Sequence, residues 1–334
     1  MNVFNLCLLF HCLIIIFYNM NILITGIQGY VGNNLVDKLK KEHTLYGLDI
    51  VTSQMDGVEK TYTIAELSTI PNVDIVIHLA GKANETNNLS EALAYFETNA
   101  GLTRNIFNWF AQSSAKTFIF FSSVKAVAES VKDTALIEDV DPKPFGALGE
   151  SKLLAEKYIL SQYVLGKNVY VLRPCYIYGN GRIGNKYMRW MYKWVISGYP
   201  FPFGKFKCNR SFLAMDNLIF ILKQMMVKNI PSGIYNIADD GYLSAVEIFE
   251  IMGSVLGKKV RIWRLSKGFI NALTRIGRPF HLNFDGYLCE TLLTNFVVSN
   301  EKIKKALNIK KLPVSTVDGL TKAIQGYKNQ INTK

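Results

Sequence analysis

The stretch NILITGIQGYVGNNLVDKLK, residues 21–40, decides the fold. Residues 21–25 are dominated by aliphatic and β-branched side chains, the composition of a strand buried on both faces. Gly26, Gly29 and Gly32 then follow at three-residue spacing, and apolar residues recur at helical spacing through Val31, Leu35, Val36 and Leu39. A strand that turns through closely spaced glycines into a helix brings bare backbone up to an anionic group, and the helix N-terminus adds amide donors and a partial positive charge. The expected phosphate cradle is Gly26, Gly29, Tyr30, Val31 and Gly32. A glycine-rich turn by itself is weak, since tight geometry alone also demands glycine. Its weight comes from Asp49, which closes the next strand about twenty residues on, where a carboxylate accepts hydrogen bonds from adenosine ribose hydroxyls. Asp49 also repels a 2′-phosphate and no arginine follows it, so NAD is expected rather than NADP.

Outward from this unit, short β-branched runs alternate with longer amphipathic stretches, the pattern of an α/β chain with a doubly wound parallel sheet. Strands are expected at 21–25, 44–49, 59–63, 73–79, 117–122 and 168–172, with helices at about 30–41, 89–112 and 149–165. The strand at 73–79 ends in His78-Leu79-Ala80-Gly81, and the small residues there make Leu79, Ala80 and Gly81 candidates to line the cofactor trough. Asn99 falls inside a helix that packs on the sheet, either as a structural hydrogen-bonder or as support for the site. After Pro174 the regularity gives way to glycine-, aromatic- and lysine-rich sequence, with helices near 184–197, 216–228, 244–256, 266–277 and 316–332. Ser244 with Glu247, and Ser315 with Asp318, have the spacing of helix N-caps. The expected organisation is an apolar extension over 1–19, a nucleotide-binding domain over 20–174, and a smaller lobe over 175–334 with some segments returning to the first domain.

With 334 residues, 49% hydrophobic and 19% charged, the chain has ordinary globular composition. Its five cysteines show no C-x-x-C spacing and its four histidines stand singly, so neither a disulfide framework nor a metal site is expected. Charge is uneven: residues 1–175 carry 14 Lys+Arg against 17 Asp+Glu, and residues 176–334 carry 24 against 9. A basic second half suits an anionic substrate such as a nucleoside diphosphate, or contact with an anionic membrane or nucleic acid, and reads most plainly as a lysine-rich solvated surface; nucleic acid is the weakest of these, since no nucleic-acid-binding motif accompanies the charge. Residues 1–19 are apolar but lack a basic flank and a small-residue cleavage site, and Met20 stands directly before the first strand. The expectation is translation from Met20 and a cytoplasmic protein, with a membrane anchor as the alternative.

Taken together, T-G-x-x-G-x-x-G at 25–32, H-L-A-G at 78–81, Ser122-Ser123 after a strand, Ser151-Lys152-x-x-Ala155-Glu156 and Leu172-Arg173-Pro174 resemble the extended short-chain dehydrogenase/reductase family. The segments FSSVKAVAES and PFGALGESKLLAEKYI are similar to its NAD-dependent epimerases and dehydratases, including UDP-sugar 4-epimerases and 4-ketoreductases of surface-polysaccharide pathways. The resemblance implies a Rossmann-like sheet with a C-terminal substrate-binding lobe. It also implies a catalytic Ser or Thr, a Tyr, and a Lys four residues after that Tyr. At that spacing Tyr and Lys share a helix face, and the ammonium lowers the phenol pKa so that phenolate accepts the sugar hydroxyl proton. Ser123 matches the hydroxyl, which also touches substrate, and Lys152 matches the lysine, which also touches cofactor. The tyrosine position is Leu148. This departure puts proton transfer in question and leaves cofactor binding intact.

The resemblance further assigns Arg210 to the substrate diphosphate, which a guanidinium fork suits, and Asn185 to the nucleotide as a weaker match. Arg173 reads equally as a site residue and as half of a structural ion pair, and Lys125 and Lys82 as surface or cofactor-edge charges. The aromatic cluster from Tyr199 to Phe206 reads first as core. The function these residues imply is an NAD-dependent UDP-sugar epimerase or 4-ketoreductase, impaired at Leu148. The alternative is a catalytically silent NAD and nucleotide-sugar-binding protein. Its expected partners are a UDP-linked sugar and a second copy of the chain in a homodimer, with no nucleic acid, and a membrane only if residues 1–19 anchor the chain.

Overall fold

The computed structural model describes residues 19–83, 91–131, 134–162, 164–180, 182–183, 186–206, 208–266, 268 and 294–332. The chain divides into two compact units, one running to Phe121 and including Lys157–Tyr170, the other comprising Ser122–Glu156 and Val171–Lys334.

In the first unit, β1 (Asn21–Thr25) lies between β2 (Thr44–Leu48) and β4 (Ile75–His78), parallel to both, and pairs Thr25 with Leu48 on one side and with His78 on the other. Ile22, Leu23 and Ile24 are wholly buried, as an unbroken aliphatic run demands. Strand β3 (Lys60–Tyr62) extends the sheet beyond β2, and β5 (Thr117–Phe121) pairs in parallel with β4. The glycine turn leads into α1 (Tyr30–Leu39), which buries Leu35, Val36 and Leu39. The single helix expected at 89–112 is instead a short turn, Ala92–Tyr95, then a π-helical turn, Phe96–Gly101, then α2 (Leu102–Gln112). Phe107 and Phe110 of α2 pack on Phe118 of β5 with ring centroids 5.1 and 5.0 Å apart.

Within this unit the strand order is β3-β2-β1-β4-β5; β6 (Asn168–Pro174) begins here and ends in the second unit, which also holds β9 (Gly233–Ile237). The order reverses at β1 and β4, and ligands of open α/β sheets bind at the carboxyl ends of strands at such a switch.

The second unit holds α3 (Gly146–Ser161) up to Glu156; the helix opens three residues earlier than expected, on a left-handed Gly146 at φ 74°. A three-stranded sheet of order β10-β8-β7 is built from β7 (Tyr176–Tyr178), β8 (Asn209–Ala214) and β10 (Tyr242–Ser244). Around it pack α4 (Lys186–Ser197), α5 (Met215–Val227), α6 (Ala245–Leu256) and α8 (Thr316–Asn332), while α7 (Glu301–Leu307) lies against β9. The Ser244–Glu247 capping box forms, and Ser315 Oγ accepts from Asp318 N at 3.1 Å. Phe201 and Phe203 are buried in this unit's core, as the core reading of the aromatic cluster expects, while Tyr199 stays exposed. Strands β7 to β10 and helix α7 were not expected from sequence. The helix expected at 266–277 lies largely outside the described residues. Among those described, no helix is long and apolar enough to cross a membrane.

Candidate active site

Gly26, immediately after β1, adopts φ 69°, and a Cβ there would stand 2.8 Å from Ala80 N and 2.9 Å from Ala80 Cα. The structure thus brings the turn after β1 against the Leu79-Ala80-Gly81 segment after β4, two stretches far apart in sequence. A Cβ at Gly32 would meet Ile27 O at 2.4 Å, so the first helical turn also closes on bare backbone. Gly29 is the N-cap of α1, no side chain caps that terminus, and no acidic residue occupies its first turn. Tyr30 and Val31 open the helix there. An N-terminus of this kind presents donors and a partial positive charge to an anion.

Asp49 follows β2, half-buried, and its carboxylate accepts from Gln28 N at 3.0 Å, Ile50 N at 2.8 Å and Val51 N at 3.3 Å. The carboxylate is therefore tied directly to the glycine turn. Turn, helix N-terminus and carboxylate fit a dinucleotide: backbone that a Cβ would obstruct lies where phosphate needs it, and an acceptor stands beside it for a ribose.

Asn99 is fully buried in the π-helical turn, its amide accepting from Lys82 N at 2.8 Å and donating to Lys82 O at 3.1 Å. It ties down the chain just after Gly81, acting as a structural hydrogen-bonder there. Beneath that loop runs a polar chain missed in the sequence. Ala80 N donates to Thr25 Oγ1 at 3.2 Å, Thr25 Oγ1 meets His78 Nδ1 at 2.6 Å, and His78 Nε2 meets Thr103 Oγ1 at 2.8 Å. The Thr103 hydroxyl spends its one proton on Asn99 O. Donor counting then puts the imidazole proton on Nε2 and leaves Nδ1 to accept from Thr25. His78 is thus a wholly buried brace for the Ala80 turn.

In the second unit, Ser123 caps a short 3-10 turn, Val124–Ala126, its Oγ accepting from Lys125 N at 3.2 Å. The N-terminal turn of α3 presses on the same loop: a Cβ on Gly149 would lie 2.5 Å from Lys125 O. This approach explains a glycine at 149 and sets the 148–152 turn beside the Ser123 loop. Lys152 is buried, and loss of solvent lowers its ammonium to about 8, with the Glu156 carboxylate pulling the other way. Leu148 is buried too, and its carbonyl accepts from Ser151 Oγ at 3.1 Å. Tyr158 is committed elsewhere, its hydroxyl donating to Asn108 Oδ1.

Arg173 is the structural ion pair of its two readings. It is 2% exposed and its Nη2 lies 2.6 Å from Glu156 Oε2, while Ser122 Oγ donates to Glu156 Oε1. Lys125 corrects the surface reading: it is buried and lies 3.3 Å from Glu129. Burial holds its ammonium below the ordinary lysine value, Glu129 raises it, and the charge of Arg210 lowers it again. Lys82, half-buried, places its ammonium 5.3 Å from the centre of the Tyr95 ring. Arg210, on β8, is buried, with its guanidinium 5.7 Å from the Tyr176 ring centre and 5.6 Å from that of Phe296. Asn185 lies outside the described residues. Among those described, no group of three or more His, Cys, Asp or Glu is placed to hold a metal ion.

Strand order, glycine turn and ribose carboxylate together define a dinucleotide-binding α/β protein. Residues 22–238 match the NAD dependent epimerase/dehydratase family, and the chain belongs to it. Its cofactor is NAD. The chain is 24% identical over 304 residues to an Escherichia coli O157:H7 protein named N-acetyl-alpha-D-glucosaminyl-diphospho-ditrans,octacis-undecaprenol 4-epimerase, covering 86% of this chain and 85% of that one. It is 28% identical over 266 residues to a Vibrio cholerae UDP-glucose 4-epimerase, covering 73% and 78%. Its fold is similar to that of the Bordetella bronchiseptica enzyme WbmG, solved in complex with NAD and UDP, at a TM-score of 0.72 and 17% identity over 95% of this chain and 96% of that one.

Proposed function

We propose that the chain is an NAD-dependent UDP-sugar 4-epimerase or 4-ketoreductase that makes precursors of surface polysaccharide, slowed by the leucine at 148. The observation that carries this reading is the turn of α3 held against the Ser123 loop, with Lys152 buried in it. Gly26, Gly29, Tyr30, Val31 and Gly32 receive the pyrophosphate, Asp49 the adenosine ribose, and Leu79, Ala80 and Gly81, with Asn99 behind them, line the trough. NAD, when bound, supplies hydride acceptance and return at the sugar carbon.

Ser123 orients the reacting hydroxyl, and Lys152 holds cofactor and favours the deprotonated form of a neighbouring oxygen. With no phenol at 148, the proton leaves through Ser123, through water, or through another tyrosine such as Tyr176. Arg210, with Asn185 as the weaker assignment, takes the substrate diphosphate. The carrier beyond that diphosphate is a nucleotide in this reading; the Escherichia coli relative's name puts a polyprenol there, and a guanidinium fork serves either.

A second reading, favoured by Leu148 alone, is a silent protein that binds NAD and nucleotide-sugar. The test is incubation of the full chain with a panel of UDP-sugars, followed by chromatography and proton NMR of the sugar. Interconversion of C4 epimers without net consumption of NAD supports the epimerase, and reduction of a 4-keto sugar at the expense of NADH supports the reductase. Saturable UDP-sugar binding without turnover supports the silent reading, and the absence of binding refutes both.

A further inference from the structure

The second unit carries a surface that the proposed chemistry does not use. No Asp or Glu falls between Glu156 and Asp216, or between Glu250 and Asp285, and both intervals are rich in lysine and arginine. The structure pairs these acid-free segments. Phe201 N donates to Arg261 O at 2.8 Å and Trp263 N to Phe201 O at 2.8 Å, which seats the strand-like run around Trp263 beside the chain leaving α4. Within that run Ile262 is half-buried and would be 2.4 Å from a Cβ on Gly204, whereas Arg261, Trp263 and Arg264 are exposed.

Helix α4, whose chain leads through Tyr199 into Phe201, carries cations and apolar groups of its own. It buries Tyr187, Met188, Met191 and Val195, and turns Arg189, Lys193 and Ile196 outward at spacings of four and three residues, which is one helical face. The Trp190 ring packs tilted on Trp194 with centroids 4.7 Å apart, Trp194 likewise on Tyr199 at 5.6 Å, and the Trp194 indole donates to Pro200 O at 3.2 Å. Tyr199 and Trp263 are each about half exposed, at 53% and 51%. Exposed tryptophan, tyrosine and isoleucine set among lysine and arginine, with no carboxylate in either segment, are what a surface needs to rest in an anionic headgroup layer: rings at the interface, cations on lipid phosphate.

We propose that this face, formed by α4, the chain that follows it and the run around Trp263, docks the protein peripherally on an anionic lipid bilayer. The exposed Ile196 favours lipid over a soluble polyanion, which would engage the cations and, if it carried bases, the rings, but not an aliphatic side chain. The docking is independent of the catalytic assignment, since Ser123, Lys152 and Arg210 are not among its residues.

The test is co-sedimentation of the full chain with phosphatidylcholine vesicles and with vesicles that also contain phosphatidylglycerol, while tryptophan emission is followed. Salt-sensitive binding to the anionic vesicles, with a blue shift that Trp263→Ser diminishes, is expected. Arg261→Ser with Arg264→Ser is expected to weaken it about twenty-five-fold, at roughly fivefold for each cation. Both variants expose no new apolar surface, and unchanged circular dichroism and NAD affinity check that they fold. Equal binding to both vesicle types, unaffected by these substitutions, would place attachment in the apolar residues 1–19 and overturn the proposal. Binding to a single-stranded oligonucleotide as tight as to anionic vesicles, without a blue shift on lipid, would overturn it in favour of nucleic acid.

Discussion

Replacing Glu156 by alanine leaves the Arg173 guanidinium buried with no countercharge. Arg173 Nε lies 3.0 Å from Oε1 and 3.2 Å from Oε2, Nη2 lies 2.6 Å from Oε2, and the two residues are 2% and 1% exposed. Ser122 loses its acceptor in the same substitution. Removing one partner of a buried ion pair costs about 3–5 kcal/mol, because the survivor keeps its desolvation cost without the attraction. For a unit of this size that is a fall in Tm of about 10 °C, at roughly 2–4 °C per kcal/mol. The double substitution Glu156→Leu with Arg173→Met removes both charges and is expected to lie within about 1 kcal/mol of the starting protein. Calorimetry and urea unfolding of the three proteins measure this. A loss below about 1 kcal/mol in Glu156→Ala, or a double variant no better than the single one, refutes the claim that the pair is dry and mutually dependent.

Gly26→Ala puts a Cβ 2.8 Å from the Ala80 backbone in a left-handed residue, and is expected to cost about 2 kcal/mol or more and to weaken NAD binding; unchanged melting and unchanged NAD titration would contradict the close approach. NAD is expected to bind about tenfold or more tighter than NADP because Asp49 faces the extra phosphate, and equal affinities by fluorescence titration would remove Asp49 from the ribose. Burial depresses Lys152 to about 8 from 10.5, so between these values the unfolded chain binds the extra proton and stability rises with pH. The stability of Lys152→Met relative to the unsubstituted protein should therefore fall by about 3 kcal/mol as pH rises from about 8 to about 10.5, and a difference that does not change with pH would mean a solvated lysine.

The parts legible in the sequence are those whose signal is local. Ile22 to Ile24 are aliphatic because both faces of β1 are covered, and Gly26 is glycine because Ala80 leaves no room and φ is positive; both facts show as composition at fixed spacing. Ser244 and Glu247 cap α6 across three residues, so their pairing is equally readable. The role of His78 was hidden because Thr25 and Thr103, which fix its tautomer, are 53 and 25 residues away. Lys125 reads as a surface or cofactor-edge charge because an i,i+4 pairing with Glu129 suits a solvated face equally well, and its burial within the field of Arg210 rests on chain 85 residues away. Strands β7 and β10 are three residues each and β8 mixes polar with apolar residues, so tertiary pairing rather than periodicity makes them strands.

The central claim is that the chain retains the cofactor and substrate apparatus of its family while lacking its acid/base phenol, and Leu148→Tyr tests it most directly. The site is set by the contact of Gly149 with Lys125 O and is already buried, so the new side chain enters the turn that carries Lys152. The measurement is the sugar-dependent rise in reduced-nicotinamide absorbance, with sugar products quantified in parallel, for the unsubstituted protein and for Leu148→Tyr. A missing acid/base group costs about 10²–10⁴ in rate, so Leu148→Tyr is expected to be faster by up to that factor at equal NAD occupancy. A fast unsubstituted protein that slows when the tyrosine is introduced would contradict the account, because its proton must then pass through a different group.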